Sequence, residues 1–97
     1  MHKMCGVAFV DVNGLGVVNN MYGHEYGDNL LKIVADCLKQ YFRYCDIYRI
    51  DGDELVIIVE NISEYLFLTK LDMATSIISK TSNTVSVGVM YQDEVIN

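Results

Sequence analysis

Three carboxylates crowd one glycine in the segment Tyr48-Arg49-Ile50-Asp51-Gly52-Asp53-Glu54-Leu55, which runs on into the apolar stretch Val56-Ile57-Ile58-Val59. Asp-Gly between two apolar, β-prone runs is a strong short-range hairpin signal, because both tip residues accept positive φ. Acidic groups held on a tight turn repel one another unless solvent, a basic partner or a cation offsets their charge. A divalent ion is one reading of this tip, and a solvated turn is the other. A further carboxylate, Asp11, closes the apolar run from Met4 to Val10. Oxygen ligands brought from two backbone segments, with positions left open for phosphate, are what a two-metal phosphoryl-transfer site requires.

For that chemistry the fold has to carry Asp11 to Asp53 and Glu54, which lie far along the chain. The apolar patterning says how. Met4 to Val10 is nearly continuous in apolar residues and predicts a central strand buried on both faces. Asn13-Gly14-Leu15-Gly16 is a glycine-bearing turn, and Val17, Val18 and Met21 predict a short helix ending at Tyr22-Gly23. From Asp28, the positions Leu31, Val34, Ala35, Leu38 and Phe42 recur at helical spacing. Asp46 to Ile50 and Glu54 to Glu60 are the hairpin strands. Asn61 or Ser63 caps the next helix, whose stripe is Leu66, Phe67, Leu71, Ala74, Ile77 and Ile78. Thr84 to Tyr91 alternates as a last strand.

The order β-α-α-β-β-α-β is that of an α+β fold, a ferredoxin-like or palm-like sheet covered mainly on one face by helices. In such a fold the end of the first strand and the hairpin tip can lie side by side. Plainer roles stand beside the chemical ones. Asp11 also suits a helix N-cap or a turn, and Asn19 and Asp28 suit helix caps. His24 falls in a loop, with no second histidine or cysteine spaced to join it on a metal. Tyr41, Phe42, Tyr44 and Tyr48 read as core and strand packing rather than a base-stacking platform. Arg49 reads as a partner of nearby carboxylates.

Composition narrows the function classes. Ninety-seven residues, 52% of them hydrophobic, make one small domain with material for a core and no need of staples. Proline is absent and the net charge is −6, which argues against a general nucleic-acid or anionic-membrane surface. Cys5, Cys37 and Cys45 are odd in number and lack metal-ligand spacing. Cys5 and Cys37 fall within apolar patterns and are expected to be buried, reduced thiols. No apolar run approaches the ~18 residues of a membrane span, so a cytoplasmic setting is expected, with a membrane-tethered parent protein left open.

The pattern Asp11-x-Asn13-x-Leu15-x-x-x-Asn19-Asn20-x-Tyr22-Gly23-His24-x-x-Gly27-Asp28-x-x-Leu31, followed by Arg49-x-Asp51-Gly52-Asp53-Glu54-Leu55, resembles the GGDEF family, the diguanylate cyclase domains of bacterial signalling. Val85-Ser86-Val87-Gly88-Val89 is similar to the family's late strand. The resemblance implies Mg2+ held by Asp11, the backbone carbonyl of Val12 and Asp53, hard oxygens that suit this ion. It implies that Glu54 sits beside the reacting groups and helps bind metal or activate the attacking hydroxyl. Asn19 and Asp28 match positions that read the guanine edge, an amide and a carboxylate being able to pair with its donors and acceptors. Gly52 matches a glycine that lets backbone approach the nucleotide. Two GTP-loaded domains of a homodimer would face each other, and each 3′-hydroxyl would attack the other α-phosphate, closing cyclic di-GMP and releasing pyrophosphate. Arg43 and Asp46 resemble the family's product-inhibition motif, where arginine grips phosphate and guanine through its planar fork.

Departures from the family pattern bear on activity. Asp51 stands at the first glycine of the signature and Leu55 at its final phenylalanine. An added charge near phosphate costs about 1–4 kcal/mol at partly screened distances. Gly16 replaces the usual lysine of the first helix, Asn13 the second aspartate of that motif, and Asn20 the aspartate after the base-reading asparagine. The family's leader motif is not matched by Met1-His2-Lys3, nor its triphosphate-holding helix before Asn97, so residues 1–97 are expected to form a partial GGDEF domain. The resemblance therefore implies an impaired cyclase. The alternative is an inactive regulatory module that binds GTP or cyclic di-GMP, or mediates dimerisation, among other domains of a longer parent. An unrelated ferredoxin-like interaction domain is the third class.

Overall fold

Burial along the first strand decides how the molecule is layered. The computed structural model describes residues 2–43, 45–50, 52–81 and 83–96. In β1 (His2–Val12), Gly6, Ala8, Val10 and Val12 are buried, whereas Val7 and Phe9 between them are only partly covered. The apolar run predicts burial on both faces; the structure corrects this to one covered face, because helices pack on a single side. The strand is also longer than its apolar run. All of it pairs with β4 (Val85–Val95), from His2↔Val95 to Val12↔Val85, so polar residues at both ends are drawn into the ladder.

β2 (Asp46–Ile50) and β3 (Glu54–Glu60) form the expected hairpin, and β3 pairs with β1. The sheet order is β2-β3-β1-β4 with every pairing antiparallel, the arrangement of a ferredoxin-like sheet. Leu55, Ile57 and Val59 of β3 join Ala8 and Val10 in the core, against Val34 and Leu38 of one helix and Phe67, Leu71, Ala74 and Ile78 of another. Phe42 and Phe67 close that layer with ring centroids 5.7 Å apart.

Helix boundaries correct several expectations. α1 (Leu15–Tyr22) and α2 (His24–Tyr41) meet at Gly23, the C-cap of the first and N-cap of the second. The second helix thus starts at His24 rather than Asp28, and His24 is helical, not in a loop. Asn19 and Asp28 lie inside helices, so neither is a cap, and Asp11 lies within β1, so it is neither cap nor turn. α3 (Glu64–Ser79) is capped by Ser63, whose Oγ accepts from the Leu66 backbone N–H at 3.2 Å, while Leu66 itself is exposed. Cys37 is buried as expected; Cys5 is only half-buried, because it points to the face that no helix covers. Tyr48, on that same face, is exposed rather than packed, and Tyr44 lies outside the described residues.

Candidate active site

Antiparallel register brings the distant carboxylates together. Asp11 is the last β1 residue paired with β3, and its partner there is Glu54. Directly opposed residues have Cβ atoms about 4.5–5.5 Å apart, so the two carboxylates share the end of the sheet. Asp53 precedes Glu54 on the hairpin tip and is exposed. Val12, one residue past Asp11, pairs with Val85 and buries its side chain, which leaves its backbone at the same sheet end. Among the described residues the ion pairs are His2–Asp93 and Arg49–Asp28, so neither involves Asp11, Asp53 or Glu54. Asp51 lies outside the described residues.

The tip is held from the helix side. Gly52 adopts φ 84, a left-handed conformation that L side chains rarely take, and the Asp-Gly signal anticipates it. Its carbonyl accepts from Arg49 Nε at 3.0 Å and Nη2 at 2.7 Å, and the same Nη2 donates to Asp28 Oδ1 at 2.6 Å. The expectation of a carboxylate partner for Arg49 is met by Asp28 of α2, and among the described residues neither Asp53 nor Glu54 bonds to it.

Asn19 of α1 packs against Gly27, the residue before Asp28 in α2. A Cβ on buried Gly27 would collide with the Asn19 amide, so the glycine is what lets α1 and α2 approach here. Asn19 Oδ1 is buried without a hydrogen-bond partner among the described residues. A buried polar atom left unpaired carries a desolvation cost that the described residues do not offset. An isolated glycine inside a helical pattern is the signal that points to such a close approach.

Asn13 has a different fate. Its amide donates to Thr84 Oγ1 at 3.1 Å and accepts from Ser86 Oγ at 2.8 Å, while its backbone N–H donates to the Thr84 carbonyl at 2.9 Å. It pins the end of β1 to β4, a role the sequence reading missed because Thr84 and Ser86 carry no local signal for it. Arg43 lines a cleft of about 400 Å³ with Gln40, Cys45, Asn61, Leu66 and Lys70. That cleft is at the far end of β3, roughly 20 Å from Glu54 along the strand. Asp46 opens β2 and is not among the cleft's lining residues.

The donor set at the tip fits a hard divalent cation. Magnesium is bound by one or two carboxylates together with substrate phosphate oxygens, rather than by an all-protein cage. Two opposed acids and a neighbouring third, with no basic side chain bonded to them among the described residues, match that chemistry. Among the described residues no group of three His, Cys, Asp or Glu side chains forms a preformed metal cluster.

Comparison with known proteins agrees with this fold. The family model described as "Diguanylate cyclase, GGDEF domain" matches residues 1–94. The bifunctional diguanylate cyclase/cyclic di-GMP phosphodiesterase MucR of Pseudomonas aeruginosa is 44% identical over 55 residues, covering 56% of this chain and 8% of MucR. The active GGEEF domain of a diguanylate cyclase from Vibrio cholerae superposes with a TM-score of 0.76 at 14% identity, over 96% of this chain and 64% of that one. A microbial GGDEF domain solved for its interaction with cyclic di-GMP superposes at 0.78 with 26% identity, over 91% of this chain and 56% of the other. No helix among the described residues is long and apolar enough to cross a membrane.

Proposed function

The chain belongs to the diguanylate cyclase GGDEF family of cyclic di-GMP signalling, and from that premise we propose that it binds GTP with Mg2+ at the β1–hairpin end of the sheet and turns it over poorly. The register that sets Asp11 opposite Glu54 is the observation that carries this reading. Asp11, the Val12 carbonyl and Asp53 would hold the ion, which supplies charge neutralisation on the triphosphate when bound. Asn19 and Asp28 would take the guanine edge, with the Asn19 amide seated against Gly27. Gly52 gives the tip its left-handed turn, with no atom within 4 Å of where a side chain would start. Glu54 would help bind metal or accept the proton of an attacking 3′-hydroxyl.

In the full reaction each 3′-oxygen forms a bond to the α-phosphorus of the other nucleotide, and the bond to pyrophosphate breaks. Two GTP give one cyclic di-GMP and two pyrophosphates. The protein's share is positioning and fixed charge, and a homodimer supplies the second nucleotide.

Two observations favour impaired turnover. Asn13 stands where a carboxylate belongs and is consumed by Thr84 and Ser86. Gly16, in place of a lysine, leaves α1 without a cation for phosphate. The same observations support the second reading, an inactive regulatory module among other domains of a longer, cytoplasmic protein, which binds GTP or cyclic di-GMP or mediates dimerisation; Arg43 and Asp46 would be its product-binding pair.

Incubation of the concentrated domain with GTP and magnesium, assayed for cyclic di-GMP alongside binding of GTP and of cyclic di-GMP, tests both. Slow product formation abolished by Asp53→Ala establishes the cyclase. Binding without turnover establishes the module. Absence of both GTP and cyclic di-GMP binding ends the cyclase and leaves of the module only its dimerisation role.

A further inference from the structure

We propose that Arg49 is a positioning residue that couples the hairpin tip to α2, so that changes at Asp28 are felt at Gly52, Asp53 and Glu54. Its effect on nucleotide rests on the function proposed above; the coupling itself is a property of the folded chain.

Arg49 pairs with Leu55 across the hairpin, and Leu55 is buried on the helix-covered face. Paired residues share a face, so the arginine is directed toward α2. From there one planar fork makes three bonds: two to the Gly52 carbonyl, at 3.0 and 2.7 Å, and one to Asp28 Oδ1, at 2.6 Å. Guanidinium donors are fixed relative to one another, so moving one partner moves the other. A lysine ammonium in the same place lacks that rigid fork.

The pair is nearly half exposed on both sides, at 45% and 44%. Ion pairs so exposed add little to stability. Geometry, not stability, is what this contact contributes. Asp28 Oδ2 makes no hydrogen bond among the described residues, so one carboxylate oxygen stays open while the other is held. The adjoining Gly27 seats the Asn19 amide of α1, so the turn of α2 that receives Arg49 carries one proposed base-reading residue and packs against the other. A ligand that engages Asp28 is therefore linked through one side chain to the backbone carrying Asp53 and Glu54. Such linkage is reciprocal: whatever fixes the tip also fixes Asp28.

Amide hydrogen exchange on the intact chain tests the coupling without any ligand. In Asp28→Ala, exchange at Ile50 and Glu54, the pair that closes the hairpin beside the tip, should quicken about tenfold, the scale of one charge-assisted contact, with Ala8 and Val10 unchanged as a control for global unfolding. Arg49→Ala should match it, and Arg49→Lys should not restore protection. Tip exchange in Asp28→Ala within twofold of wild type overturns the proposal. With GTP and magnesium present, Arg49→Lys should weaken GTP binding about tenfold and leave ATP binding unmoved. Equal weakening of both nucleotides overturns the coupling of tip to base. A wild-type chain that binds no GTP, yet loosens at the tip in Asp28→Ala, ends the nucleotide reading and leaves the coupling standing.

Discussion

Asp11 of β1 stands directly across the ladder from Glu54 of β3, two acids in register with no bonded cation among the described residues. Like charges directly opposed on neighbouring strands destabilise a sheet. Evolution of a stable fold alone has no use for this pair, whereas a site that receives a cation does.

Asp11→Asn should therefore stabilise the metal-free domain by about 0.2–1 kcal/mol, a rise of a few degrees in Tm. Magnesium should raise the wild-type Tm and leave that of Asp11→Asn unmoved. Differential scanning calorimetry with and without magnesium checks both signs, and identical magnesium shifts would remove Asp11 from the site.

Asn19 should behave as a residue kept at the expense of stability. Leaving its buried Oδ1 unpaired costs about 1–3 kcal/mol. Asn19→Ala should hold or raise the urea midpoint while GTP binding falls tenfold or more. A large loss of stability in this variant would mark the amide as structural.

Gly6 lies under the Phe67 ring, and a Cβ there would come within 2.7 Å of three ring carbons. Gly6→Ala should destabilise by about 1–3 kcal/mol through overpacking. Phe67→Leu, which removes the ring, should make the Gly6→Ala substitution much milder. Additive losses in the double variant would show that the ring is not what the new methyl meets.

Burial pushes the Cys37 thiol above its ordinary value of 9.0, with Asp36 adding to the effect. Burial does the same at Cys45, where a backbone hydrogen bond at Cys45 itself and Lys39 pull the other way and Asp46 adds to the rise. The unfolded chain then loses these protons at lower pH than the folded one. Stability is fully retained below pH 9 and declines as pH rises from there toward the folded-state values. Urea titrations between pH 8 and about 10.5 should show that decline, and Cys37→Ala should flatten it.

Much of the fold was legible in the chain. The hairpin boundaries matched because Asp-Gly chemistry and apolar alternation act locally. The α3 stripe matched at Phe67, Leu71, Ala74 and Ile78 for the same reason. Misreadings arose where tertiary pairing overrode local pattern. β1 extends past its apolar run because β4 pairs with all of it, and the Asp28 start of α2 was wrong because Gly23 joins two helices end to end. Arg49 has acidic neighbours in sequence, and nothing local says that the fork turns to α2 instead.

Sequence alone determined the order of elements, the acid-rich turn and the family, because turn chemistry, periodicity and motif spacing are written within short windows. The folded chain alone decided which distant groups meet: Asp11 with Glu54, Asn19 with Gly27, Arg49 with Asp28. Those meetings depend on strand register and helix approach, which are settled only when the whole core packs at once.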